Sequence, residues 1–426
     1  MTRTTKGAKL AIHGGEPVAP AGTFKPWPPI DESDEKMVLS ALRGEEHTVG
    51  PHYKALQDEF AEWLGLKHAL FCNSGTAALH MALVACGCGR GDEVIVPAYT
   101  WPSSATCCIH NNAIPVFVDI EWSTMNIDPA RIEAAVTPRT KAIIAVHLHG
   151  LTVDMDAVMD VARRHNLRVI EDCCQAHGAR YAGRAAGTFG DCAAFSCNHN
   201  KMHSTGEGGF FASNDEAVFE RGKTLWYFGE HRRPEANPEY NAYGMGWMYR
   251  STELVAAFAR AQLAKLGDHL ARVRENAERL AERLTGVENL ILPVVPDRCG
   301  HNWYNYTIRF DMEAIGHAHD AAAFRDKLVK AITAEGAKTS VWQGWPVPEM
   351  TAIAGKNAYG GGCPWACTDS PVRYDLEQFP VARRHCDWHT GITFPLRPPN
   401  TPAEADKVAD AWIKVMDNLD QVETVV

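Results

Sequence analysis

From about residue 68 the sequence alternates short apolar runs with stretches of helical spacing, and this alternation constrains the fold more than any other feature. Residues 68–72, 93–97, 115–119, 141–147 and 168–172 read as strands. Between them, 76–86 reads as an apolar helix stopped by Gly87 and Gly89, and 102–111 as a second helix. A third, 154–166, sets Met155, Val158, Met159 and Val161 against Arg163, Arg164 and His165. That periodicity is helical. Apolar strands separated by helices predict an α/β fold, with a mostly parallel sheet covered by helices on both faces.

Near Asp191 the pattern changes to closely spaced strands at 193–197 and 208–213, flanking a polar stretch. A long helix follows over 251–284, then Gly286, Pro293 and Pro296. The remainder reads as a smaller α/β unit: strand 303–310, helix 320–335, strand 338–342 and a last helix over 402–419. The expected division is 1–285, an N-terminal segment with the large domain, and 286–426, a small C-terminal domain. At 426 residues, more than one unit is the natural expectation. The loop 344–379, rich in Gly, Pro and Trp, is too long for idle packing and is expected to help cover a site.

Charge and cysteine usage exclude several functions. A net charge of −10 gives no electrostatic footprint for nucleic acid. The polar, basic first residues precede no apolar stretch, and no run approaches ~18 apolar residues. No membrane association and a cytoplasmic location are therefore expected. Most of the 13 cysteines sit in apolar runs, which reads as reduced, buried thiols. Cys363 and Cys367 lie four apart without a second pair beside them, so no metal site is expected.

Three local features fall where such a sheet places ligands, at the carboxyl ends of strands. Ser74, Gly75 and Thr76 open a helix after a strand, and unpaired N–H groups at a helix start favour phosphate. Glu171 and Asp172 end an apolar strand. Lys201 lies in a polar link between two apolar strands, preceded by Ser196 to Asn200 and followed by Ser204-Thr205-Gly206. A lysine desolvated there can serve as nucleophile or base. Each feature has an ordinary reading: an N-cap, a loop cap, a solvated lysine. Their order is distinctive, because phosphate turn, strand-end acid and later lysine are what pyridoxal phosphate (PLP) requires.

The strings NSGTAAL at 73–79, VPAYTW at 96–101, EDCCQAHGA at 171–179, the run 195–209 and MYRSTELVAA at 248–257 resemble the DegT/DnrJ/EryC1/StrS family of sugar and cyclitol aminotransferases. The resemblance implies a fold type I PLP-dependent transferase, with a three-layer αβα large domain and a smaller C-terminal α/β domain. It implies that Lys201 carries the cofactor as a Schiff base and shuttles protons, and that Asp172 pairs with the pyridine nitrogen. Gln175 would contact the cofactor hydroxyl region, Trp101 would stack on the ring, and Ser74, Gly75, Thr76 and Ser196 would hold the phosphate. A homodimer with shared active sites is also implied, the Tyr249-Arg250 segment reaching the partner's site. Residues 11–29 and the QAHGA string are most similar to the cyclitol branch, in which L-glutamine or L-glutamate donates an amino group to a keto-cyclitol or keto-sugar in antibiotic biosynthesis.

Departures from the family pattern are local. Met248 stands where Asn is common, His149 where Tyr is common, and Cys197 to Asn200 replace a segment that usually carries a hydroxyl or amide. His199, two residues from Lys201, is a candidate second acid/base or phosphate contact. The competing readings are a non-transaminase reaction on the same fold, and a non-enzymatic partner protein. Family dehydratases carry His at the lysine position, so Lys201 argues against that version, and no G-x-G-x-x-G follows an early strand to suggest a dehydrogenase.

Overall fold

Seven strands form the central sheet of the computed structural model, which describes residues 5–230 and 241–425. They are β1 (His68–Cys72), β2 (Glu93–Pro97), β3 (Ile114–Val118), β4 (Thr140–Val146), β5 (Arg168–Asp172), β6 (Cys192–Ser196) and β7 (Gly209–Ser213). Their spatial order is β1-β7-β6-β5-β4-β2-β3. Only β7 is reversed, antiparallel to both β1 and β6, and the remaining pairs are parallel. The expected mostly parallel sheet is met, with strand ends displaced by a residue or two.

Helices cover both faces: α1 (Glu32–Arg43), α2 (Pro51–Leu64), α3 (Gly75–Ala85), α4 (Ser103–His110), α5 (Met155–His165), α6 (Glu216–Trp226) and the long α7 (Glu253–Leu284). The α3 sequence is apolar all round because it packs against β6, β7, α4 and α6 at once. In contrast, α5 is amphipathic, capped by the Asp154 carboxylate and ended by Asn166 in the left-handed conformation.

A second unit holds an antiparallel sheet of β8 (Leu290–Ile291), β9 (Tyr306–Phe310) and β10 (His389–Ile392). It is packed by α8 (Ala321–Ala334), α9 (Pro380–Trp388) and α10 (Pro402–Met416). Core membership crosses the expected 285/286 division. Leu10 and the last turns of α7 (Ala277, Leu280, Leu284) are buried in the core of the second unit, whereas Ala256, Ala259, Leu266 and Val273 of α7 pack beside Phe60, Phe71 and Phe195. One helix thus serves two cores.

Three expectations are corrected. Residues 338–342 form no strand beyond a bridge from Ser340 to Gly391, and the strand beside β9 is β10. The loop 344–379 anchors Val347, Ile353, Trp365 and Phe379 in the large sheet's core, and none of its residues lines the cavity at the strand ends. Cys363 and Cys367 are joined as a disulfide, while the other eleven cysteines are free and nine of those are buried. No described helix is long and apolar enough to cross a membrane.

The junction between α2 and α7 rests on one buried carboxylate. Glu253 accepts from the backbone N–H groups of Gly50 at 3.0 Å, His52 at 2.6 Å and Tyr53 at 2.9 Å, which satisfies the orphan amide donors of the α2 N-terminus. Glu253→Ala leaves those donors buried without a partner and is expected to lower stability by about 2–4 kcal/mol. Glu253→Gln, which keeps an acceptor oxygen, should lose less; the denaturant midpoint measures both.

Candidate active site

The carboxyl ends of β1, β2, β5 and β6 open onto one cavity of about 370 Å³. Its wall includes Ser74, Gly75, Thr76, Trp101, Asp172, Gln175, Ser196 and Lys201, so eight of the residues predicted from sequence meet there.

The first wall is the start of α3. Ser74 is the N-cap, its Oγ accepting from the Ala77 N–H at 3.1 Å, and the Thr76 hydroxyl meets Ser103 Oγ at 2.8 Å. The N–H groups of Gly75 and Thr76 have no partner within the helix and, with the helix dipole, favour an anion. Gly75 is required by close approach: a Cβ there would fall 2.6 Å from Ser196 Cβ and 2.9 Å from Cys174 Sγ.

The second wall is Asp172, the last residue of β5. Its Oδ2 accepts from Ser104 Oγ at 2.7 Å and its Oδ1 from the Cys174 N–H at 3.1 Å, so the carboxylate is held in one orientation. Its neighbour Gln175 is buried, its Oε1 accepting from the His149 N–H at 2.7 Å.

The third wall is the turn joining β6 to β7. Cys197 N–H donates to Gly208 O at 2.8 Å, His199 N–H to Gly206 O at 2.7 Å, and Lys201 N–H to Asn198 O at 2.8 Å. These bonds present Lys201 at the tip. Its Nζ donates to the Tyr304 hydroxyl at 3.2 Å and lies 4.6 Å from the centre of that ring. Anion-binding amide N–H groups, an oriented carboxylate and a lysine amine on one cavity form a donor set that fits PLP.

His199 does not join them. It is exposed, its ring 6.2 Å from Phe394, while its carbonyl accepts from Trp27 Nε1 at 3.2 Å and Ser204 Oγ at 2.9 Å. The peptide shapes the lysine turn, and the imidazole points elsewhere. Met248 is exposed too, and its carbonyl accepts from Asn73 Nδ2 at 3.4 Å. Of the loop over residues 228–243, positions 231–240 lie outside the described residues.

Sequence reasoning missed Tyr304, Trp342, Glu207 and Ser103 on the cavity wall. Tyr304 precedes β9 in the second unit, and Trp342 stands 6.0 Å from Trp101 between ring centres. Both arrive from far along the chain with the spacing of core aromatics, so no local signal marks them. Ser103 could have been found as an extension of the VPAYTW string.

Residues 28–370 match the DegT/DnrJ/EryC1/StrS aminotransferase family. The GDP-perosamine synthase of Caulobacter vibrioides is 39% identical over 311 residues, covering 72% of this chain and 81% of that protein. The L-glutamine:scyllo-inosose aminotransferase of Streptomyces griseus is 31% identical over 431 residues, covering 97% and 99%. Among solved structures, 3-amino-5-hydroxybenzoic acid synthase superposes with a TM-score of 0.80 at 28% identity, covering 91% of this chain and 98% of that one.

Buried histidines set an acid limit to the stability of the fold. Burial pushes the imidazole of His80 down to about 4, with help from His110, and those of His301 and His389 down to about 3. Each stays neutral in the fold, while in the unfolded chain it takes up a proton near pH 6.5. Their contribution to stability is therefore full above about pH 6.5 and lost as the pH falls toward 3–4. The thermal midpoint is expected to be lower at pH 5 than at pH 8, with His80→Asn reducing the difference.

Proposed function

Since the chain belongs to the DegT/DnrJ/EryC1/StrS aminotransferase family and is a PLP-dependent aminotransferase, we propose that it moves an amino group from L-glutamine, or alternatively L-glutamate, to the carbonyl of a keto-cyclitol. The observation that carries this reading is the convergence of Lys201, Asp172 and the α3 N-terminus on one cavity. The keto-cyclitol is favoured by the near full-length similarity to the scyllo-inosose enzyme. A keto-sugar is the second reading, favoured by the higher identity to the perosamine synthase over a shorter stretch. We further read the chain as a cytoplasmic homodimer with shared sites. The exposed Trp101 and the exposed run Met245, Trp247 and Met248 support an apolar partner surface.

When bound, PLP supplies an aldehyde that takes up the donor's amino group and a ring that withdraws electrons from the carbon being deprotonated. The chain's residues do the rest. The Gly75 and Thr76 backbone N–H groups and the Ser74, Thr76 and Ser196 hydroxyls would bind the phosphate. Asp172, fixed by Ser104 and Cys174, holds a proton on the pyridine nitrogen. Lys201 Nζ takes the proton from the donor α-carbon and later returns one to the carbon that receives nitrogen. Tyr304 orients that amine through its hydroxyl. Trp101 and Trp342 flank the opening and limit water.

Purified protein is expected to show visible absorbance of lysine-bound cofactor, to lose it on adding L-glutamine, and to regain it on adding scyllo-inosose. A protein whose absorbance no amino donor alters is not a transaminase. Recovery with a nucleotide-linked keto-sugar and not with the cyclitol would select the second reading. Lys201→Ala should lack the absorbance. Tyr304→Phe should keep it while kcat falls about 10- to 100-fold, the value of one hydrogen bond to a charged amine.

A further inference from the structure

Behind the lysine turn lies a cluster that the transamination reading leaves unused. His177, Cys197 and His203 are fully buried, and their ligand atoms lie within 4.8 Å of one another. Cys197 Sγ stands 3.6 Å from His203 Nδ1. His203 Nε2 lies 2.8 Å from the Ala259 carbonyl, which must receive a hydrogen, so Nδ1 is left with its lone pair turned toward the sulfur. The rings of His177 and His203 are 6.0 Å apart and nearly perpendicular, at 84°. Among the described residues, neither ring nitrogen of His177 has a hydrogen-bond partner.

A thiol donating to His203 accounts for Cys197 alone. It leaves both nitrogens of His177 without a partner among the described residues, and buried polar groups of folded proteins are usually partnered. The second group of ligand-type residues, His147, Glu171 and Cys173, differs. There both His147 nitrogens and both Glu171 oxygens already have partners.

We propose that His177, Cys197 and His203 bind one zinc-class divalent cation that ties the Lys201 turn to the segment following Asp172. One thiolate and two imidazoles suit a borderline-soft metal. With metal–sulfur and metal–nitrogen bonds of ordinary length, adjacent ligands of a tetrahedral ion stand about 3.6 Å apart. The Cys197–His203 pair already has that separation. His177 needs to close by at most about 1.5 Å, a side-chain rotation. On binding, the thiol proton leaves to solvent, sulfur gives its electron pair to the metal, and no electron is transferred. Cys197 and His203 flank Lys201 in sequence and His177 follows Asp172, so the ion would fix the spacing of the two functional elements without touching substrate. Phe60, Phe195 and Phe210 pack around the two imidazoles, and one water would complete the ion's fourth position.

The test uses the full chain without a histidine tag, with cofactor bound. Expected are about one zinc per chain by elemental analysis and, after chelation and cobalt loading, the red-region absorption of tetrahedral cobalt with thiolate, where PLP does not absorb. Cys197→Ser should lose both signals and the zinc-dependent rise in thermal midpoint, whereas Cys386→Ser, at a buried thiol outside the cluster, should keep them. If the serine variant does not fold, His177→Asn provides the same loss. Wild-type protein that retains no stoichiometric metal, or cobalt bands that persist without Cys197, would overturn the proposal.

Discussion

The parallel run of β2, β4, β5 and β6 is the constraint on which the site depends. Because these strands point the same way, their carboxyl ends share one edge of the sheet, and the chain must turn there each time to enter the next crossover. The Lys201 turn leaves the carboxyl end of β6 at that same edge, and the reversed β7 sets out from it beside the start of α3. Free amide N–H groups at a helix start, a strand-end carboxylate and a lysine on a turn are common separately. Strand direction makes them neighbours.

Two adjacent acids show how the sheet assigns roles. Successive side chains on a strand face opposite sides. Glu171 therefore turns away from the cavity and accepts N–H groups from Gly187 at 2.7 Å, Phe189 at 2.6 Å and Gly190 at 2.7 Å, with His147 Nε2 at 3.1 Å. It closes the loop ahead of β6. Asp172 faces the cavity, held among the described residues by Ser104 Oγ and by Cys174, with its carboxylate on the wall where a ligand would meet it. The same chemical group is structural at one position and functional at the next.

Much of this was legible in the residues. Apolar periodicity located the strands of the large sheet, because fully buried strands between helices admit few alternatives. The N-cap at Ser74 and the strand-end acid could be read from local chemistry. The second unit was less legible. Its strand β10, four residues containing a glycine, carries too little periodicity to stand out, and the bridge at Ser340 is not continued into a strand. His199 was chosen for its nearness to Lys201 in sequence, yet a tight turn sends residues two apart in different directions.

By itself, then, the sequence determined the parallel sheet, the phosphate-type turn, the acid and the lysine, because each is written in short-range pattern and chemistry. Tertiary structure decided which of two acids faces the cavity, that Tyr304 from the second unit meets the lysine amine, and that the loop over 344–379 packs rather than covers. It also joined His177 to Cys197 and His203. These outcomes depend on which way a strand alternates and on which distant segments are brought into contact. Long-range packing sets both, and no local run of residues encodes them.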